Sequence, residues 1–240
     1  MGERLTKRSL AAELSAQFNL ERGLLRTFVD LIVRPETMLH GYIDGSCRPR
    51  YSGIVAYFIL AVAISVALAN LTGFEDQFVM DLRSAPGTLE DAGISDQKLW
   101  AFEDIVYRNA YLIYYAFLPI CALVTFLIFR FWQFNFVEHL VVNAFLISQV
   151  TFLTLPLEFL FIPLTYEVAF NIVGGLGFGI NAIYLIWAYA RISRRYGKTT
   201  HFGNVLRSTA AVAVQLLGLI ALSIAISVSS IWVLVYWMAL

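Results

Sequence analysis

Long apolar runs alternate along the chain with short charged stretches, and within the runs polar residues do not recur at every second position. Five runs reach the roughly 20 residues a helix needs to cross about 30 Å of hydrocarbon. They cover 53–71, 110–131, 138–164, 168–192 and 209–238. In hydrocarbon every backbone N–H and C=O needs an internal partner, so a spanning segment is a helix or part of a closed barrel. Barrel strands alternate apolar and polar residues, and "LLGLIALSIAISVSSIWVLVYW" does not. The pattern predicts an all-α, polytopic membrane bundle of five transmembrane helices over 53–240, preceded by an amphipathic N-terminal segment over 1–52.

Composition agrees. Of 240 residues 59% are hydrophobic and only 14% charged, with a mean hydropathy of +0.71. Soluble domains carry roughly 25% charged residues, and a water-soluble globule could not hide this apolar excess. The formal net charge is zero, so no overall field favours nucleic acid. The charges are nevertheless segregated. With the N-terminus in the cytoplasm, fourteen Lys and Arg lie on the inner side and three in the 72–109 loop, which holds eight acids. That asymmetry predicts a cytoplasmic N-terminus, an exterior C-terminus and an acidic exterior loop, in a multi-pass protein of a cell inner membrane. Phe131 and Trp132 are expected in the inner aromatic belt. No apolar h-region follows the first positive charges, so no signal peptide is expected.

The stretch "ERGLLRTFVDLIVRPETMLHGYIDGSCRPRY" leads into the first run. Leu24, Leu25, Phe28, Leu31 and Ile32 fall at helical spacing, but the segment is too short and too charged to span. It is expected to lie in the cytoplasmic interface. Arg34-Pro35 breaks it, because a residue before proline avoids the α region. Pro35 can then open a second short helix ending near Gly45. Arg48 and Arg50, beside Tyr51, are placed to hold anionic headgroups.

These residues resemble a bacterial membrane family, domain of unknown function 3667 (DUF3667). The resemblance rests on Arg34, Pro35, Tyr42, Gly45, Arg48, Arg50 and Tyr51, on "FNFVEHLVVNAFLISQVTFL", and on "IYLIWAYARISRRYGKT". Many members of that family begin with a four-cysteine zinc ribbon, which is not in this sequence, so no metal role carries over. A weaker, topological likeness links the chain to Yip1-like five-span proteins. Neither resemblance implies catalytic residues here.

Polar residues inside spans are the best functional pointers in such a chain. On the third run His139, Asn143, Thr151, Thr154 and Glu158 fall within a sector of about 120° on a helix. They form either a hydrophilic path or a set of interface and packing residues. Adjacent Glu138 and His139 point about 100° apart and do not converge. His40, His139 and His201 could meet only through tertiary folding, and Cys47 and Cys121 lack metal or disulfide spacing. No cofactor, metal site or catalytic constellation is expected. On the fourth run Gly175 and Gly179 form a Gly-x-x-x-Gly pair suited to close helix packing, within the chain or between two copies. The expected function is a non-enzymatic structural or accessory membrane protein. Its cytoplasmic N-terminal patch would engage anionic lipid or a partner protein. The alternative is a small-molecule or ion transporter or channel using the polar face of the third transmembrane helix.

Overall fold

The computed structural model describes residues 20–72, 117–159, 172, 174–196 and 200–238; side chains are described except at 20–22, 69, 70, 72, 158 and 223–238. Among these residues the chain is all-helical. In order the elements are α1 (Leu20–Val33), α2 (Pro35–Ile43), a 3-10 turn Arg48–Arg50, α3 (Ile54–Thr72), α4 (Leu118–Ile128), a 3-10 turn Arg130–Trp132, α5 (Phe136–Glu158), α6 (Gly175–Tyr196) and α7 (His201–Met238).

Three stretches are long and apolar enough to cross a membrane: Arg48–Leu68, Phe136–Leu157 and His201–Leu222. They match the first, third and fifth runs and mark a membrane protein. Of the second run only α4 and the following turn are described, and α4 is an 11-residue apolar helix. The fourth run corresponds to α6, which continues to Tyr196 and carries Arg191, Arg194 and Arg195 in its last turns. α7 begins eight residues before the fifth run. Its 38 residues extend about 57 Å at 1.5 Å per residue, longer than the hydrocarbon is thick. The Thr200 hydroxyl accepts the Gly203 N–H at 3.2 Å and so starts the helix in a polar stretch. The exterior loop and the amphipathic helix expected near its end lie outside the described residues.

Local chemistry explains the ends. The Asn135 side chain accepts the Glu138 N–H at 2.9 Å, while the Glu138 carboxylate accepts the Asn135 N–H at 2.8 Å. This capping box starts α5 and satisfies two donors that would otherwise be orphaned. It also gives Glu138 a structural occupation on the outside of the helix. Gln133, at φ +61°, turns the chain between α4 and α5.

Part of the apolar side of the N-terminal segment packs inward. Leu31, Met38 and Leu39 are fully buried in the same cluster as Tyr57, Phe129, Trp132, Phe145, Tyr189 and Ile192. Phe28 meets Phe152 edge-on at 6.4 Å, and the Tyr184 hydroxyl donates to the Leu31 carbonyl at 3.2 Å. A helix that ends at Arg34-Pro35 exposes its last carbonyls, and α6 supplies a donor for one of them. α1 and α2 are therefore part of the bundle's core. The expectation for Trp132 is corrected: it is buried and stacks on Phe129 at 4.4 Å, so it is no belt residue.

Candidate functional site

Isolated polar residues on four helices meet in the interior. Asn143 of α5 uses its full bonding capacity. Its Nδ2 donates to Thr125 Oγ1 of α4 at 2.8 Å and to the His139 carbonyl at 2.7 Å. Its Oδ1 accepts the Tyr189 hydroxyl of α6 at 2.7 Å and Gln215 Nε2 of α7 at 3.3 Å. Gln215 Nε2 also reaches the Tyr189 oxygen at 3.1 Å and the Cys121 carbonyl at 3.2 Å. Thr125, His139, Asn143, Tyr189 and Gln215 are all buried. Buried amides and hydroxyls are costly unless paired, and here each is paired to a different helix. The cluster is a lock on the arrangement of α4, α5, α6 and α7.

His139 sits at its edge. The ring stacks flat on Trp132 at 5.4 Å, with Phe126 and Phe134 edge-on at 5.7 and 5.9 Å. Trp132 Nε1 donates to Ser193 of α6 at 3.1 Å. His139 Nδ1 lies 3.2 Å from Thr125 Oγ1, which also reaches the backbone carbonyls of Ala122 and Cys121 at 3.0 and 3.1 Å. A hydroxyl has one hydrogen and two lone pairs. With its hydrogen on the backbone and one lone pair on Asn143, the second lone pair takes an Nδ1–H. The network thus assigns the Nδ1–H tautomer and leaves Nε2 a lone pair without a hydrogen-bond partner.

The polar stripe divides. His139 and Asn143 belong to this hub. The Thr151 hydroxyl donates to the Ile147 carbonyl, and Thr154 reaches the Val150 and Thr151 carbonyls, so both bond within their own helix. The Glu158 side chain lies outside the described residues. On a neighbouring face of α5, Gln149 Oε1 accepts the Tyr57 hydroxyl of α3. Gln149 Nε2 is buried without a partner, as is Ser52 Oγ.

The resemblance residues form joinery of a different kind. Arg34 grips Asp30 through Nε at 3.0 Å and Nη2 at 3.3 Å, and the Tyr51 hydroxyl donates to Asp30 Oδ2 at 2.7 Å. Arg26 stands 3.7 Å from the same carboxylate. Burial pushes the Asp30 carboxyl up, but hydrogen bonds from Arg34 and Tyr51 and the two arginine charges outweigh it and hold the group below 3.8. Arg48 donates to the carbonyls of Tyr42 at 2.8 Å and Ile43 at 3.2 Å, closing the end of α2. The Tyr42 hydroxyl accepts the Ile54 N–H at 3.0 Å, and its ring meets Phe145. Pro35 is buried at the start of α2, and Gly45 takes φ +85°. Arg50 is exposed. The headgroup role assigned to this motif is therefore narrowed: Arg48 and Tyr51 are engaged within the chain, while Arg34 is half exposed beyond its bonds to Asp30.

Where backbones approach closely also differs from expectation. A Cβ at Gly175 or Gly179 would meet no atom within 4 Å, whereas one at Gly23 would stand 2.6 Å from the Ser52 nitrogen. Among the described residues, then, the glycine held tightly against another backbone is Gly23 of α1, on the chain before α3, and the Gly-x-x-x-Gly pair is open. The three histidines have separate partners: Tyr196 and Asp44 for His40, Arg194 for His201, Thr125 for His139. Burial pushes the Tyr196 phenol up to about 12. Among the described residues no group of three or more His, Cys, Asp or Glu could hold a metal, and both cysteines are free.

Nothing in the sequence reading singled out Thr125, Tyr189 or Gln215, and Trp132 entered it only as a belt residue. The available signal was a lone polar residue in an apolar run, as in "AAVAVQLLGL" and "CALVTFLIF". Fold and site define a helical membrane protein whose interior holds a neutral polar cluster joining four helices. Comparison of the chain with protein-family models, curated proteins and solved structures finds no match.

Proposed function

We propose that this chain is a non-enzymatic accessory protein of a bacterial inner membrane. It crosses five times with a cytoplasmic N-terminus, belongs with the DUF3667-like proteins, and engages anionic headgroups or a partner protein through its cytoplasmic end. One observation carries the reading: exposed arginines gather where element ends meet. Arg130 follows α4, Arg194 and Arg195 end α6, and Arg207 opens α7, its guanidinium 5.1 Å over the Phe131 ring. α2 joins this end through His40 and Tyr196. Basic residues near an anionic surface contribute about 1 kcal/mol each. The test is reconstitution of the full chain and an Arg130→Gln, Arg195→Gln, Arg207→Gln variant into phosphatidylglycerol or phosphatidylcholine nanodiscs. Stabilisation of the wild type by phosphatidylglycerol, reduced in the variant, supports the reading. Equal stability of the wild type in both lipids contradicts it.

A transporter or channel is the second reading. What favours it is the pair of buried, unpartnered atoms on α5, His139 Nε2 and Gln149 Nε2. Flux across proteoliposomes that vanishes with Asn143→Leu would support it; absence of any flux would remove it.

A further inference from the structure

α1 carries two parallel stripes. Leu25, Val29 and Val33 recur at every fourth residue and are exposed by 72, 43 and 58%. One position further on, Arg26, Asp30 and Arg34 recur in the same way, with Arg26 and Arg34 side chains 46 and 51% exposed and Asp30 at 7%. Two guanidiniums thus share one carboxylate. Arg34 holds both carboxylate oxygens, and Tyr51 takes a further lone pair. Arg26, at 3.7 Å, lies 5.6 Å over the Tyr51 ring. A guanidinium offers five N–H donors, so most of those on Arg26 and several on Arg34 face outward. The cluster keeps one net positive charge. It stands beside the turn Arg48–Arg50, where the first membrane-crossing stretch begins.

We infer that this face of α1 is a binding site for one anionic phospholipid. The phosphodiester lies across Arg26 and Arg34, and an acyl chain runs along Leu25, Val29 and Val33. A phosphodiester carries the single negative charge that neutralises the cluster, and its oxygens can accept the N–H groups of Arg26 and Arg34 that Asp30 leaves unused. The neighbouring apolar stripe selects a lipid over a free anion, since inorganic phosphate would leave it uncovered. Asp30 and Tyr51 act as positioning groups: they fix Arg34 and set the spacing of the two cations. The site deepens the headgroup reading above by giving it one location, distinct from the basic end around Arg130, Arg195 and Arg207.

The test measures the apparent melting temperature of the full chain in neutral detergent, titrated separately with phosphatidylglycerol, phosphatidylcholine and inorganic phosphate. Arg26→Gln keeps the Arg34–Asp30–Tyr51 clamp, and Val29→Ser keeps every charge. Phosphatidylglycerol raises the wild-type midpoint, and the other two additions do not. Arg26→Gln requires about fivefold more phosphatidylglycerol for the same rise, the loss of one basic contact with an anionic surface. Val29→Ser also needs more. If both variants respond like wild type while the triple glutamine variant does not, the site is wrong and the headgroup reading stands. No response of the wild type overturns both. An equal response to inorganic phosphate overturns the lipid assignment, as does a Val29→Ser change that shifts oligomeric mass without altering the lipid response.

Discussion

The Asn143 hub and the Asp30 elbow join helices by opposite chemistry. In the hub, amides, hydroxyls and an imidazole meet out of contact with water, with each hydrogen and lone pair of Asn143 matched. At the elbow a carboxylate is clamped between half-exposed guanidiniums and a tyrosine. A low-dielectric interior makes hydrogen bonds strong but unpaired charge expensive. Neutral groups therefore hold the centre, and ions hold the seam where water and headgroups can still reach them. The hub should accordingly be insensitive to salt, and the elbow sensitive to salt and acid.

The largest expected break is in the hub's aromatic wall. Trp132→Ala removes the plate on which Phe129 and His139 stack and should cost about 3–5 kcal/mol, read as a fall in the thermal unfolding midpoint. Trp132→Phe should recover much of the packing but not the bond to Ser193. Asn143→Leu comes next. It strands Thr125, Tyr189 and Gln215 partners together, for about 1–3 kcal/mol, with the same penalty in low and high salt. At the elbow Gly23→Ala puts a Cβ 2.6 Å from a backbone nitrogen and should cost about 1–3 kcal/mol through a forced backbone shift. Asp30→Asn should cost about 1–2 kcal/mol, because its partners are partly solvated. The smallest effect belongs to Gly175→Ala with Gly179→Ala. A Cβ there meets nothing among the described residues, so monomer stability should hold or rise slightly through helix propensity. A large loss in the monomer would show that α6 packs tightly at these glycines.

Apolar periodicity made the helices at 54–72, 136–158 and 201–238 legible, because run length alone distinguishes them from loops. It also put His139 and Asn143 on one face. It could not reveal their partners, since Thr125, Tyr189 and Gln215 lie on other helices and a lone polar residue in an apolar run does not name its neighbour. The elbow misled differently. Arg48 reads as a group aimed at headgroups, but a charged side chain with a helix end within reach is consumed locally. Likewise Leu31 sits on an amphipathic helix whose apolar side was expected to meet lipid, and it meets Tyr184 and the core instead. Gly-x-x-x-Gly spacing records that backbones could approach at Gly175 and Gly179. Gly23, with no motif around it, is where they do.

The contrast between the two joints is tested most directly by unfolding wild type, Asp30→Asn and Asn143→Leu at pH 6 and at pH 3. Asp30 is held below its ordinary value of 3.8 in the folded chain. Its contribution is therefore complete above that value and fades as the pH falls through it towards the folded value. The account predicts that the gap between wild type and Asp30→Asn narrows at pH 3, while the gap to Asn143→Leu at pH 6 is the same in low and high salt. An Asp30→Asn gap that is unchanged in acid, or an Asn143→Leu gap that shrinks in high salt, would contradict the assignment of charge to the elbow and neutrality to the hub.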